Sequence, residues 1–150
     1  MPDPEPALTR FLNVDLDIEV KQGLSVLLAG LKGPIELKGP MYVLYETETF
    51  ASLELNSDFE NILDLDETIV GIVHVVQQLS KEARSVWDQC DHRTFNIGIQ
   101  AGRTPHQTVF SISPETAALL VGVRGEIGIT VYAPYDDRHN GEKGAKAESR

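Results

Sequence analysis

Residues 11–20 alternate without a break, with Leu12, Val14, Leu16, Ile18 and Val20 on one side and Asn13, Asp15, Asp17 and Glu19 on the other. A two-residue period gives each set its own face of a strand, so this segment predicts a half-buried strand in a sheet. The pattern returns twice. Phe95, Ile97, Ile99 and Ala101 alternate with Thr94, Asn96, Gly98 and Gln100, and Ile127, Ile129, Val131 and Ala133 alternate with Glu126, Gly128, Thr130 and Tyr132. Strands of this kind are covered on one face only, and helices that join them gather on that face.

The intervening stretches supply the helices. Leu24, Leu27, Leu28 and Leu31 recur at helical spacing before Gly33-Pro34 stops the run. The tetrapeptide LKGP at 31–34 and again at 37–40 predicts two turns, and residues 41–48 and 51–55 read as two strands or one interrupted hairpin. Residues 64–90 form the main helical region. Asp64 and Glu67 make a capping-box start, and Ile69, Ile72, Val73, Val76 and Leu79 keep the helical period although their β-branching favours a strand. Ser80 reads as a second N-cap, with Ala83, Val86, Trp87 and Cys90 on one face, so a bend is expected there. The loop at 102–105 predicts a turn into a partner strand at 107–113, closing a hairpin on residues 94–101. Ser113-Pro114-Glu115-Thr116 opens the last helix, with Ala117, Leu120 and Val121 expected inward and Gly125 ending it. The expected order is β-α-β-β-α-β-β-α-β. The fold class is α+β: a single mostly antiparallel sheet with helices on one face, analogous to a ferredoxin-like βαββαβ sandwich extended by a β-α-β unit.

At 150 residues the chain suits one domain. We assign residues 11–135 to it, with residues 1–10 as a flexible N-terminal tail and 136–150 as a disordered C-terminal tail rich in charge and poor in anchoring side chains. The start lacks the basic and apolar regions of a secretory signal, and the most apolar stretch, residues 69–76, is far short of the ~20 residues that span a bilayer. A cytoplasmic protein is expected. Cys90 is the one cysteine, which excludes an intrachain disulfide and any multi-cysteine zinc site.

A formal charge of -10 argues against nucleic acid and against an anionic membrane surface as partners. The acidity is uneven. No Lys or Arg lies between Lys38 and Lys81, while Glu46, Glu48, Glu54, Asp58, Glu60, Asp64, Asp66 and Glu67 do. Such a block favours basic partners, although it also serves solubility and helix capping.

The open sheet face is the expected partner face. It should display Asp15, Asp17 and Glu19 from the first alternating strand, Asn96, Gly98 and Gln100 from the second, and Gly128, Thr130 and Tyr132 from the third. Glycine at the outward positions 98 and 128 marks close approach by a partner, or else a bulge or cover from Tyr132 or a neighbouring aromatic. Arg93 and Arg103 flank the strand at 94–101 as candidate anion contacts. Asp15, Asp17 and Glu19 lie at a pitch of about 6.5 to 7 Å on one strand face, where carboxylates can also hold Mg²⁺ or Ca²⁺. Cys90-Asp91-His92-Arg93 puts a nucleophile, an acid and a base in a row, but sequence neighbours point apart, and Cys90 reads as a small packed hydrophobe. No Gly-rich phosphate loop, nucleophile elbow or HExxH motif is present, and no catalytic residue or cofactor is assigned.

The segment RTFNIGIQAG at 93–102, the ISPET start at 112–116 and IGITVY at 127–132 resemble small bacterial proteins of unknown function. The resemblance covers the last third of the chain and implies a small bacterial α+β protein, with no activity to carry over. The expected function is therefore a non-enzymatic module that binds a protein partner, or a second copy of itself, through an open acidic sheet face. The alternative is a metal-assisted or small-ligand enzyme with carboxylates on the first strand. The binding-face reading requires Asp17, Asn96 and Thr130 to point to the same side of the sheet.

Overall fold

In a computed structural model, which describes residues 7–33, 39–56 and 63–134, the elements run β1 (Arg10–Glu19), α1 (Leu24–Lys32), β2 (Met41–Glu46), β3 (Phe50–Leu55), α2 (Leu65–Gln77), α3 (Lys81–Asp88), β4 (His92–Gln100), α4 (Pro114–Gly122) and β5 (Glu126–Tyr132). Residues 1–6 of the expected N-terminal tail and the whole of 136–150 lie outside the described residues. Residues 7–9 are tied to the loop after β4, with Thr9 donating its N–H to the Thr104 carbonyl at 3.0 Å and Arg103 donating to Ala7 at 2.8 Å.

The five strands form one sheet in the order β2-β3-β1-β4-β5. The pairs β2·β3, β3·β1 and β1·β4 are antiparallel, and β4·β5 is parallel. The molecule is thus α+β with a single mixed sheet. Alternation sorts the two faces as the sequence implies: Val14, Leu16 and Ile18 are fully buried, as are Ala51, Leu53 and Phe95 opposite or beside them. All four helices add buried side chains to this one core, Leu27 and Leu31 from α1, Ile69 and Ile72 from α2, Trp87 from α3 and Leu120 from α4.

Local chemistry sets the helix ends. Asp64 accepts from the Glu67 N–H while Glu67 reaches back to the Asp64 N–H, a reciprocal cap that opens α2. Ser80 accepts from the Ala83 N–H and starts α3, so the bend expected there is a break between two helices. Gly30 lets α1 approach α3 closely, because a Cβ at that position would lie 2.7 Å from Leu79 Cδ2 and 3.1 Å from Ala83 Cβ.

Three expectations are corrected. Residues 107–113 are not a strand, and the hairpin is not formed, because both edges of β4 are taken by β1 and β5. The segment crosses instead toward α4, with Phe110 and Ile112 packed on the core, so the order is β-α-β-β-α-α-β-α-β. In α4 the inward positions are Thr116 and Leu120, followed by Val123, whereas Ala117 is exposed and Val121 is 77% exposed. Finally, the left-handed residue at the α4 end is Arg124, with φ 58, and Gly125 donates its N–H to the Leu120 carbonyl at 2.9 Å.

Candidate functional site

The face opposite the helices carries a polar ladder made of two hydrogen-bonded runs. Asp17 on β1 accepts from the Ser52 hydroxyl on β3 at 2.6 Å and from the Asn96 amide on β4 at 3.3 Å, and Asn96 in turn accepts from the Thr130 hydroxyl on β5 at 2.9 Å. Asp17, Asn96 and Thr130 therefore point to the same side. The second run leads toward the other edge. Asn13 donates to Asp15 at 3.1 Å and also to Glu54, which accepts from the Tyr42 hydroxyl on β2. In register Asp15 stands opposite both Glu54 and Asn96, and Asp17 opposite Ser52 and Thr94, so three carboxylates sit at the centre of five strands.

That crowding changes the chemistry of Asp15. Burial comes first, then the charges of Glu54 and Asp17, and together they push its carboxyl up from 3.8 to about 6. The hydrogen bond to Glu54 and partial burial hold the Tyr42 phenol up at about 12, so it remains a donor. Because the folded state binds the Asp15 proton more tightly than the unfolded chain, the face costs stability as pH rises from about 4 through about 6, and the full cost is present above that window. The gross cost is ~3 kcal/mol, which screening at this half-buried site reduces to about 1 to 2 kcal/mol. Asp15→Asn is therefore expected to stabilise the protein by about 1 to 2 kcal/mol at pH 8 and to have no effect near pH 3. Urea midpoints of variant and wild type at both pH values check this, and a less stable variant at pH 8 would refute the crowding.

The remaining expected residues divide. Glu19 is exposed at the strand end, opposite His92 and Phe50. Tyr132 is 51% exposed beside Gln100, whose amide donates to the Ala101 and Ala133 carbonyls at 3.1 and 3.0 Å and so fastens the ends of β4 and β5. Gly98 is a correction. It is buried beneath the irregularity of β1 between Phe11 and Asn13, where a Cβ would meet Asn13 Oδ1 at 3.0 Å and Leu12 Cβ at 3.8 Å. The cover comes from Asn13 and Leu12 and not from an aromatic ring, and Gly98 offers no surface to a partner. Gly128 is half-covered by Thr94, whose Cγ2 lies 3.1 Å from the position a Cβ would take.

Arg93 is corrected as well. It stands opposite Ile18, hence on the helix side, and its guanidinium donates to the carbonyls of Cys90 at 2.7 Å, Trp87 at 3.0 Å and Arg124 at 3.1 Å. No anion contact is left to it on the open face. Arg103 is exposed in the loop beyond β4. Cys90 is buried, and burial pushes its thiol up to about 11, which keeps it protonated near neutral pH. Among the described residues no group of three or more His, Cys, Asp and Glu is arranged to hold a metal ion, which leaves the metal alternative on Asp15, Asp17 and Glu19 without geometric support.

Several face residues were not anticipated. Tyr42, Ser52 and Glu54 belong to the ladder, and Tyr45 packs against Phe50 with ring centroids 6.2 Å apart. His92 and Glu126 close the far end with a 3.1 Å contact. The backbone N–H of Arg93 and the His92 ring hold the Glu126 carboxyl below its ordinary range. The alternation of Phe50, Ser52 and Glu54 with Ala51, Leu53 and Leu55 was the available signal.

Among the described residues, fold and face together define a single-sheet α+β domain with one layer of helices and one polar, carboxylate-centred face free of helix. Comparison of the chain with protein-family models, with curated proteins and with solved structures finds no match. Among the described residues no helix is long and apolar enough to cross a membrane.

Proposed function

We propose that the protein is a non-catalytic binding module whose open sheet face takes a basic segment of a protein partner. One observation carries this reading: Asp15, Asp17 and Glu54 are gathered and oriented by Asn13, Ser52, Asn96 and Tyr42 at the middle of a face that no described helix covers. Holding like charges together costs stability, and a cation laid across them removes that cost. Tyr42 and Tyr132, 41% and 51% exposed toward opposite edges, suit the alkyl stems and charged heads of Lys or Arg. A second copy is the poorer occupant of this face, since a face-to-face pair would set carboxylates against carboxylates.

The order β2-β3-β1-β4 with antiparallel neighbours supports a ferredoxin-like core extended by α4 and β5, and fold-level analogy of this kind assigns no activity. Bacterial origin and a cytoplasmic location belong to the same reading. It is tested by titrating a Lys- and Arg-rich peptide into the labelled protein at low salt and following amide shifts. Shifts should gather on β1, β3 and the open side of β4, and affinity should fall about tenfold or more in the Asp15→Asn, Asp17→Asn, Glu54→Gln triple variant. Shifts confined to the helix side, or unchanged affinity in the triple variant, would overturn it.

A further inference from the structure

Among the described residues strand β5 ends the sheet and is hydrogen-bonded to β4 alone. Ile127, Ile129 and Val131 pair in register with Phe95, Ile97 and Ile99 on the helix side, yet they are 50%, 63% and 59% exposed where Phe95 and Ile97 are 0% and 3%. The strand is 7 residues long, in unbroken register, with no Pro, Lys, Arg or Asp. Its one charge, Glu126, stands at the first position and is engaged by His92. Folded proteins blunt such edges with charges, proline or bulges, because unpaired N–H and C=O groups beside an apolar face are a template for another strand. The opposite edge is blunted in this way: β2 has a register shift between Val43 and Tyr45 and ends in Glu46. On β5 none of these devices interrupts the strand.

We propose that β5 is the interface of a symmetric homodimer, pairing antiparallel with β5 of a second copy so that two sheets join into one of ten strands. The sequence EIGITVY is compatible with itself in this arrangement. A two-fold axis through Ile129 sets Ile129 against Ile129, Ile127 against Val131, Gly128 against Thr130 and Glu126 against Tyr132. Apolar side chains meet on the helix side, and nowhere does a like charge face its equal, which matters for a chain of charge -10. Three apolar side chains at least half exposed, Tyr132 and a strand-length backbone edge supply several hundred Å², on the order of the ~800 Å² per partner of a standard interface. The chain's own end is a poor substitute, since residues 136–150 contain no apolar side chain larger than alanine.

Sedimentation equilibrium of the full chain tests the proposal, with an expected mass of twice 16.5 kDa at tens of micromolar. Ile129→Lys and Ile129→Glu each place like charges across the axis and should weaken association about 100-fold, while an equimolar mixture of the two restores the dimer. The exposed position tolerates either side chain, and recovery on mixing cannot come from misfolded chains. In the wild type, hydrogen exchange of residues 126–132 should slow as concentration rises. A wild-type monomer at ~100 μM would overturn the proposal and give the edge to another protein or to a segment of this chain. A dimer indifferent to both substitutions, a mixture that stays monomeric, or exchange independent of concentration would overturn it equally.

Discussion

Trp87→Ala should cost about 3 to 5 kcal/mol, a large share of the ~5 to 15 kcal/mol by which a domain of this size is stable. Trp87 is fully buried, and its indole N–H donates to the Val123 carbonyl at 3.0 Å, so one side chain joins α3 to the turn that launches β5. Truncation opens a cavity among core side chains and leaves a buried acceptor unpaired. Trp87→Phe separates the two effects. It keeps most of the volume and loses the donor, and should cost about 1 to 3 kcal/mol. Urea unfolding followed by circular dichroism measures both, because the chain's single Trp makes fluorescence useless in these variants. A loss below ~1 kcal/mol in Trp87→Ala would mean that the indole is not the joint described.

Arg93→Met comes second, with an expected loss of about 2 to 3 kcal/mol. The guanidinium donates to Trp87 and Cys90 at the end of α3 and to Arg124 in the turn before β5, so it caps one element and fastens another. A cation is favourable at a helix C-terminus, and charge-assisted bonds to carbonyls are stronger than neutral ones. Lysine lacks the planar fork that reaches three acceptors, so Arg93→Lys should recover less than half of the loss. Both Trp87 and Arg93 hold the same turn. Their double substitution should therefore depart from additivity by at least ~0.5 kcal/mol, and strict additivity would argue against a shared turn.

Much of this architecture is readable in the chain. The alternation in residues 11–20, 94–101 and 127–133 locates three strands and sorts their faces, and Asp64, Ser80 and Ser113 locate three helix starts through their capping oxygens. What failed was non-local. Nothing near residues 107–113 reveals that β4 already has two neighbours, one of them about 80 positions earlier in the chain, so an apolar run after a turn looks like a hairpin partner. The helical face of α4 was misplaced because a nine-residue helix rich in Ala and Leu has no clear apolar stripe.

The face was half legible. Asp15, Asp17, Asn96 and Thr130 follow from alternation alone, whereas the approach of Glu54 and Tyr42 to Asp15 depends on which strand lies beside β1. Arg93 misled for a related reason: it lies next to an outward-pointing run, but its register opposite Ile18 turns it to the helix side. Gly98 was ambiguous until the irregularity in β1 gave it a cover.

The two rims of the sheet are unlike, one kinked at Val43–Tyr45 and one straight. Stacking of copies head to tail needs both rims to accept a newcomer, and such growth has no natural stopping point. If the proposed β5 pairing forms, a molecule with one receptive rim is spent after a single union, and end-on polymerisation into filaments is not expected of it.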